Sequence, residues 1–176
     1  PSLLDFLRNQ RVLKKYEARV ISNGMSNGID SQRFKSAYSV SHEFRCSDSI
    51  IGFVGRLNKE KGIEELAQAW TNLREKFPET RLLLVGPWDT EAEINEDLRK
   101  QLESDPRVEI TGRVDDVRPF YERMRVLCFP SHREGFPNVV MEAAAMGVPV
   151  VGAKAIGTID AIVDGQTGTL VRIGNV

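Results

Sequence analysis

A chain of 176 residues, 41% hydrophobic and 28% charged, is long enough to bury a core of its own, so it needs neither a disulfide framework nor a metal staple. Its 24 basic and 25 acidic residues are well mixed and leave a net charge of −1, which argues against nucleic-acid or membrane partners held by bulk electrostatics. No apolar stretch reaches the roughly 18 residues of a membrane span. Cys46 and Cys128 fit no zinc or CxxC spacing and read as two reduced thiols of a cytoplasmic protein.

Residues 2–16 predict a helix with Leu3, Leu4, Phe6, Leu7, Val12 and Leu13 on its apolar side. Residues 18–21 read as a short strand, 22–30 as turn chemistry and 31–48 as polar and irregular. Regular structure then begins. The run 49–54 is a continuous apolar strand, and Ile63, Leu66, Ala67, Trp70, Leu73 and Phe77 recur at helical steps until Pro78 stops them. A strand at 81–85 ends at Gly86-Pro87, and a charged helix is expected over 91–103. A strand at 108–112 and a short helix at 116–124 follow. Residues 126–129 are the next strand, halted by Pro130. Residues 138–146 are strong helix formers behind Pro137, a favoured first-turn residue, and Gly147 closes that helix. A strand at 148–151, a short helix at 158–163 and a strand at 169–171 complete the series.

Uniformly apolar strands alternating with helices describe an α/β fold, a parallel sheet with helices on both faces and right-handed crossovers. Ligands of such sheets bind beyond the carboxyl ends of the strands. There is no GxGxxG behind a strand, no GxxxxGK[ST] and no GxSxG, so the dinucleotide fingerprint, the P-loop and the hydrolase elbow are all excluded. His42 and His132 have no partner at metal-ligand spacing, and His132 reads first as a packing loop histidine.

Two stretches could hold an anion. Arg56 follows the strand 49–54 and Lys61 precedes a helix, a pairing that offers a bidentate donor, a point charge and a helix dipole. Spacing alone favours two solvated turn charges over that site. In the second stretch, PSHREGFPNVVMEAAAMGVPVV, Gly135 admits close backbone approach and the free amides of Asn138 and Val139 face the strand ends. Glu134 and Glu142 suit the vicinal hydroxyls of a ribose or hexose. They could also be a glycosidase acid and nucleophile, or an ion pair to Arg133 and a helix-face charge. Glu142 lies among Val140, Met141, Ala143 and Ala144, where a carboxylate wants a partner.

The motifs SNGIDSQRF at 26–34, GRLNKEKGIEEL at 55–66, LLLVGP at 82–87, TGRVDDV at 111–117, FPSHREGFPNVVMEAAAMGVPVV at 129–151 and DGQTGTLV at 164–171 stand in one order. Together they resemble the C-terminal, donor-binding domain of family 4 retaining glycosyltransferases, which have a two-Rossmann-domain architecture. The resemblance covers nearly all of the chain from residue 18, and it overrides the reading of Arg56 and Lys61 as solvated charges.

The resemblance implies a Rossmann-like domain over 18–176, lacking the helices that usually follow, with 1–17 as a linker remnant; the start at Pro1 without Met fits a piece of a longer protein. It implies transfer of a hexose-type sugar from a nucleoside-diphosphate sugar, most simply a UDP-sugar, with retained configuration. Arg56, Lys61, Asn138 and Val139 would bind the diphosphate. Glu134, with Gly135, Phe136 and Pro137, would hold the donor sugar, and Glu134 is the candidate catalytic residue. Glu142 would hold the ribose, and Arg113 and Val114 would face the nucleobase. No metal or other cofactor is expected, since Asp115-Asp116 sits elsewhere and reads as a helix cap. The acceptor, a saccharide or lipid-linked molecule, would belong to an N-terminal domain, with peripheral membrane association expected of the full-length protein. Rival readings are a sugar-nucleotide epimerase of the same architecture and a non-catalytic nucleotide-sugar-binding module. Arg125 departs from the Asp common in the family, and residues 22–25 are less rich in Gly and Ser than usual.

Overall fold

The computed structural model describes residues 2–13, 18–20, 28–35, 49–91 and 95–174. Six parallel strands form one sheet: β1 (Ser49–Val54), β2 (Thr80–Val85), β3 (Val108–Ile110), β4 (Val126–Phe129), β5 (Val150–Ala153) and β6 (Gly168–Val171). Their spatial order is β3-β2-β1-β4-β5-β6, so the winding reverses between β1 and β4. That reversal opens a crevice at the carboxyl ends of these two strands, the usual place for a ligand in an open α/β sheet.

The helices are α1 (Ser2–Asn9), α2 (Ile63–Lys76), α3 (Glu96–Ser104), α4 (Arg118–Tyr121), α5 (Asn138–Ala145) and α6 (Thr158–Ala161). Side chains of a strand alternate between faces, so each apolar run feeds two cores. Ile50, Val54, Leu83, Val85, Leu127 and Phe129 join Tyr121 of α4 and Val140 and Ala143 of α5 on one face. Phe53, Leu82 and Leu84 join Ile63, Leu66, Ala67 and Trp70 of α2 and Leu102 of α3 on the other. Each large side chain so buried stabilises the fold by about 1.5–3 kcal/mol.

From β1 onward the expected elements are present, with shifted ends. The N-terminal helix stops at Asn9 rather than running to residue 16; residues 18–20 are not a strand, and residue 21 lies outside the described residues. Phe77 caps α2 and is 55% exposed instead of joining its apolar face, because Pro78 already forces the chain out of the helix there. Helix α3 begins at Glu96, where Asn95 accepts hydrogen bonds from the amides of Asp97 and Leu98. Strand β5 starts at Val150, two residues late, and α4 is only four residues long. Cys128 is a free, largely buried thiol whose pKa burial pushes up to about 11; Cys46, His42 and the turn at 22–25 lie outside the described residues. No described helix is long and apolar enough to cross a membrane.

Candidate functional site

The segment behind β1 is tied down by contacts its sequence supplies. Leu57 is fully buried, and Asn58, 3% exposed, accepts from the Lys61 amide at 2.9 Å and so caps a 3-10 turn at Lys59–Lys61. Gly62 then adopts φ +75°, and a Cβ there would stand 2.4 Å from the Pro130 carbonyl oxygen. Only glycine lets the start of α2 press against the loop behind β4.

The same Asn58 reaches the other cation. Its Nδ2 donates to Asp89 Oδ2 at 2.8 Å, and Arg56 Nη1 donates to that oxygen at 2.9 Å. The Asn58 amide and the Glu91 backbone N–H hold the Asp89 carboxyl below its usual range. Arg56 itself remains 61% exposed, so an incoming anion can reach it.

Behind β4, the loop 130–137 is tied down on both sides. His132 donates its backbone N–H to Glu60 O at 2.9 Å, and its ring nitrogen lies 2.6 Å from Glu65 Oε1 on α2. The His132 ring thus turns to α2 and finds a polar partner there. Glu134 donates its backbone N–H to Ile156 O at 2.9 Å. Its carboxylate accepts from Lys61 Nζ at 2.5 Å and from the buried Ser131 hydroxyl at 2.7 Å. Glu134 therefore pairs with Lys61 and not with its neighbour Arg133, the partner that adjacency alone would suggest. Gly157 lies under this loop at φ +83°, and a Cβ there would stand 2.3 Å from Glu134 O.

Pro137 occupies the cap position of α5 rather than its first turn, and no side chain caps the helix. The amides of Asn138 and Val139 thus have no intrahelical acceptor and form the positive end of the helix dipole. On the same helix Glu142 is half-buried and accepts from the Tyr121 hydroxyl at 3.0 Å. Burial raises the Glu142 carboxyl above its ordinary value, opposed by the Tyr121 bond and the charge of Arg33. The partner that this carboxylate demanded is a tyrosine.

Val114 is half-buried against the same cluster as Val139, while Arg113 is exposed in the loop behind β3. Gly135 is exposed and Phe136 half-buried beside Glu134. Asp116 accepts from the Arg118 amide at 3.0 Å and from its guanidinium at 2.7 Å, which holds its carboxyl at about 2. The cap position of α4 itself is Val117, with no side-chain cap, so the expected capping by Asp115-Asp116 is not what the helix shows. Arg125 sits at the amino end of β4, away from the site. Among the described residues no three His, Cys, Asp or Glu side chains converge as metal ligands would.

The structure brings Lys61 and Glu134 into contact and places Arg56 on the same strand end. Sequence reading missed Asn58, Asp89, Ser131 and Tyr121, which hold these groups in place. An Asn three residues before Lys61, at the head of a turn, was the available signal for the first of them.

Residues 48–176 match the family described as glycosyl transferases group 1. The capsular polysaccharide biosynthesis glycosyltransferase CapM of Staphylococcus aureus is 36% identical over 178 residues, 99% of this chain and 47% of its own length. Among solved structures, the C-terminal domain of a glycosyl transferase group 1 family protein (LpcC) from Francisella tularensis has a TM-score of 0.69 at 25% identity, over 82% of this chain and 80% of that one. Anabaena HepE in complex with UDP and glucose has a TM-score of 0.69 at 26% identity, over 85% of this chain and 43% of its own. The chain spans about half the length of CapM and of HepE.

Proposed function

The chain belongs to the group 1 glycosyl transferases, and on that premise we propose that it is the donor-binding half of a retaining enzyme that moves a hexose-type sugar from a nucleoside-diphosphate sugar. The observation that carries this reading is the meeting of Lys61 with Glu134 at the crevice between β1 and β4, beside the uncapped start of α5. Two cations and a helix N-terminus there supply positive charge for a diphosphate. Carboxylates next to them supply acceptors for sugar and ribose hydroxyls.

Arg56, Lys61 and the amides of Asn138 and Val139 stabilise the charge that develops on the departing nucleoside diphosphate, the largest demand of such a transfer. Because they supply the field themselves, the reaction runs without a divalent metal. Glu134, Gly135, Phe136 and Pro137 shape the sugar pocket, Glu142 holds the ribose, and Arg113 and Val114 face the base. UDP is the preferred nucleotide; the complex of HepE with UDP and glucose supports it. A saccharide or lipid-linked acceptor is held by the part of the whole protein that this chain does not span, at the cytoplasmic face of a membrane. Without that part the chain binds donor and transfers nothing, because neither near-attack positioning nor water exclusion is available.

The test is a panel of UDP-, GDP- and ADP-sugars read by thermal shift. A ligand at a hundredfold over its Kd adds about 2.7 kcal/mol of stability. No shift with any of the three at millimolar concentration refutes the reading.

A further inference from the structure

Tyr121 ends α4 with no exposed surface, its ring in the core beneath α5. Its hydroxyl stands 3.0 Å from Glu142 Oε2 and 3.3 Å from Val139 O. A phenol has one proton to give, and of these two acceptors the carboxylate is both the nearer and the charged one. Burial, then the Glu142 charge and the bond to it, push the Tyr121 hydroxyl far above its ordinary value, so it stays a donor at every accessible pH. Val139 and Glu142 belong to the same helix, one residue at the amide end and one at the carboxylate. A single buried hydroxyl therefore touches both ends of the ligand-facing stretch of α5.

We propose that Tyr121 is a positioning residue for nucleotide binding: its hydroxyl pins Glu142 Oε2 so that the other carboxylate oxygen is aimed at the vicinal hydroxyls of the ribose. This deepens the reading above and rests on the assignment of Glu142 to the ribose. The design has a parallel in the same site, where the buried Ser131 hydroxyl takes one oxygen of Glu134 at 2.7 Å. A carboxylate with one oxygen fixed has fewer orientations to lose when a diol arrives, and a supporting shell of this kind sets how well a binding group is aimed.

Calorimetry with three probes tests it: UDP, 2′,3′-dideoxy-UDP and inorganic pyrophosphate. The unaltered protein is expected to prefer UDP over the dideoxy nucleotide by about tenfold or more, the scale of hydrogen bonds to a charged group. Tyr121→Phe keeps the ring in the core, and it should cut that preference about fivefold while leaving pyrophosphate affinity unchanged. A purely structural role for the hydroxyl would move all three affinities together or none. Glu142→Gln reads the same hydroxyl without touching the ring. If Tyr121 claims the side-chain oxygen, the amide nitrogen faces the diol, where it can donate but no longer accepts the hydroxyl protons on a charge, and the preference falls severalfold. An undiminished preference in Glu142→Gln overturns the proposal. Glu142→Ala separates the two layers of inference. Loss of preference there with full preference in Tyr121→Phe refutes the positioning role alone, whereas full preference in Glu142→Ala refutes the ribose assignment and the proposal with it.

Discussion

Lys61 Nζ stands 2.5 Å from Glu134 Oε1, although the two residues are 73 positions apart in the chain. On the proposed assignment, the cation for the diphosphate is thus held, before any donor arrives, by the carboxylate for the sugar. The pair is largely shielded from water, at 25% and 14% side-chain exposure. On that assignment a diphosphate would share or take Lys61, and in doing so would loosen Glu134 for the sugar.

Lys61→Ala should weaken UDP binding by about 1.5–3 kcal/mol, the scale of a charge-assisted contact, and leave uridine binding nearly unchanged. Glu134→Gln should act oppositely on the two ligands. UDP binds at least as tightly, since Lys61 is released, while a UDP-sugar loses affinity. Titration calorimetry with uridine, UDP and a UDP-sugar checks both, and equal losses for uridine and UDP in Lys61→Ala would show the role to be misassigned.

Glu142→Gln should weaken uridine and UDP alike, by about 1.5–3 kcal/mol, because both ligands carry the ribose. Were UDP affected and uridine not, Glu142 would belong with the phosphates.

Affinity for a UDP-sugar should change less than twofold when a strong chelator is added. On the proposed reading Arg56, Lys61 and the α5 amides would supply the positive field without a bound ion. A tenfold loss on chelation would mean that a metal takes part.

Asp105 governs a different property. It is 6% exposed and accepts from Trp70 Nε1 at 2.8 Å, Arg74 Nη1 at 2.5 Å and the Arg107 amide at 3.0 Å. Burial pushes its carboxyl up, but the bonds from Arg107 and Trp70 and the charges of Arg74 and Arg107 outweigh that and hold it below the ordinary value. A carboxyl with a lowered folded-state pKa stabilises the fold above its unfolded value, near 4, and loses that contribution as pH falls through the folded one. Asp105→Asn should therefore cost about 1–3 kcal/mol at pH 7. It should also flatten the fall in stability below pH 4, as urea unfolding at both pH values would reveal.

The fold was readable because its strands are unbroken apolar runs stopped by glycine and proline: β1 and β4 have the bounds that SIIGFV and VLCF predict. Element ends were harder where two stop signals compete. Val148 and Pro149 are apolar and adjacent to β5, yet they lie before it: the Val148 amide is spent on Ala143 O at 2.8 Å and Pro149 has no N–H to give, although its carbonyl already accepts from Leu127 at 2.9 Å. At the site, glycines, cations and carboxylates stood out by type and spacing. Their supports did not. Nothing local in the sequence says that Tyr121 meets Glu142 or that Asn58 reaches Asp89, since those contacts exist only once β1, β2, β4 and their helices lie side by side.

The sheet that separates the two apolar clusters also divides the residues proposed to bind the donor by origin. Lys61 is carried on the turn into α2, rooted in the Leu57, Ile63 and Trp70 layer, whereas Glu142 rides α5 over the Tyr121 and Val140 layer. Packing defects on opposite sides of a sheet share few neighbours, and their costs should sum. On the proposed assignment a softened α2 layer would slacken the grip of Lys61 on phosphate and spare the nucleoside, whereas a softened α5 layer would weaken both, since that helix carries the Asn138 and Val139 amides as well as Glu142. The Lys61–Glu134 contact is then a rivet between the two layers, and wear on the α2 side alone would part phosphate binding from nucleoside binding.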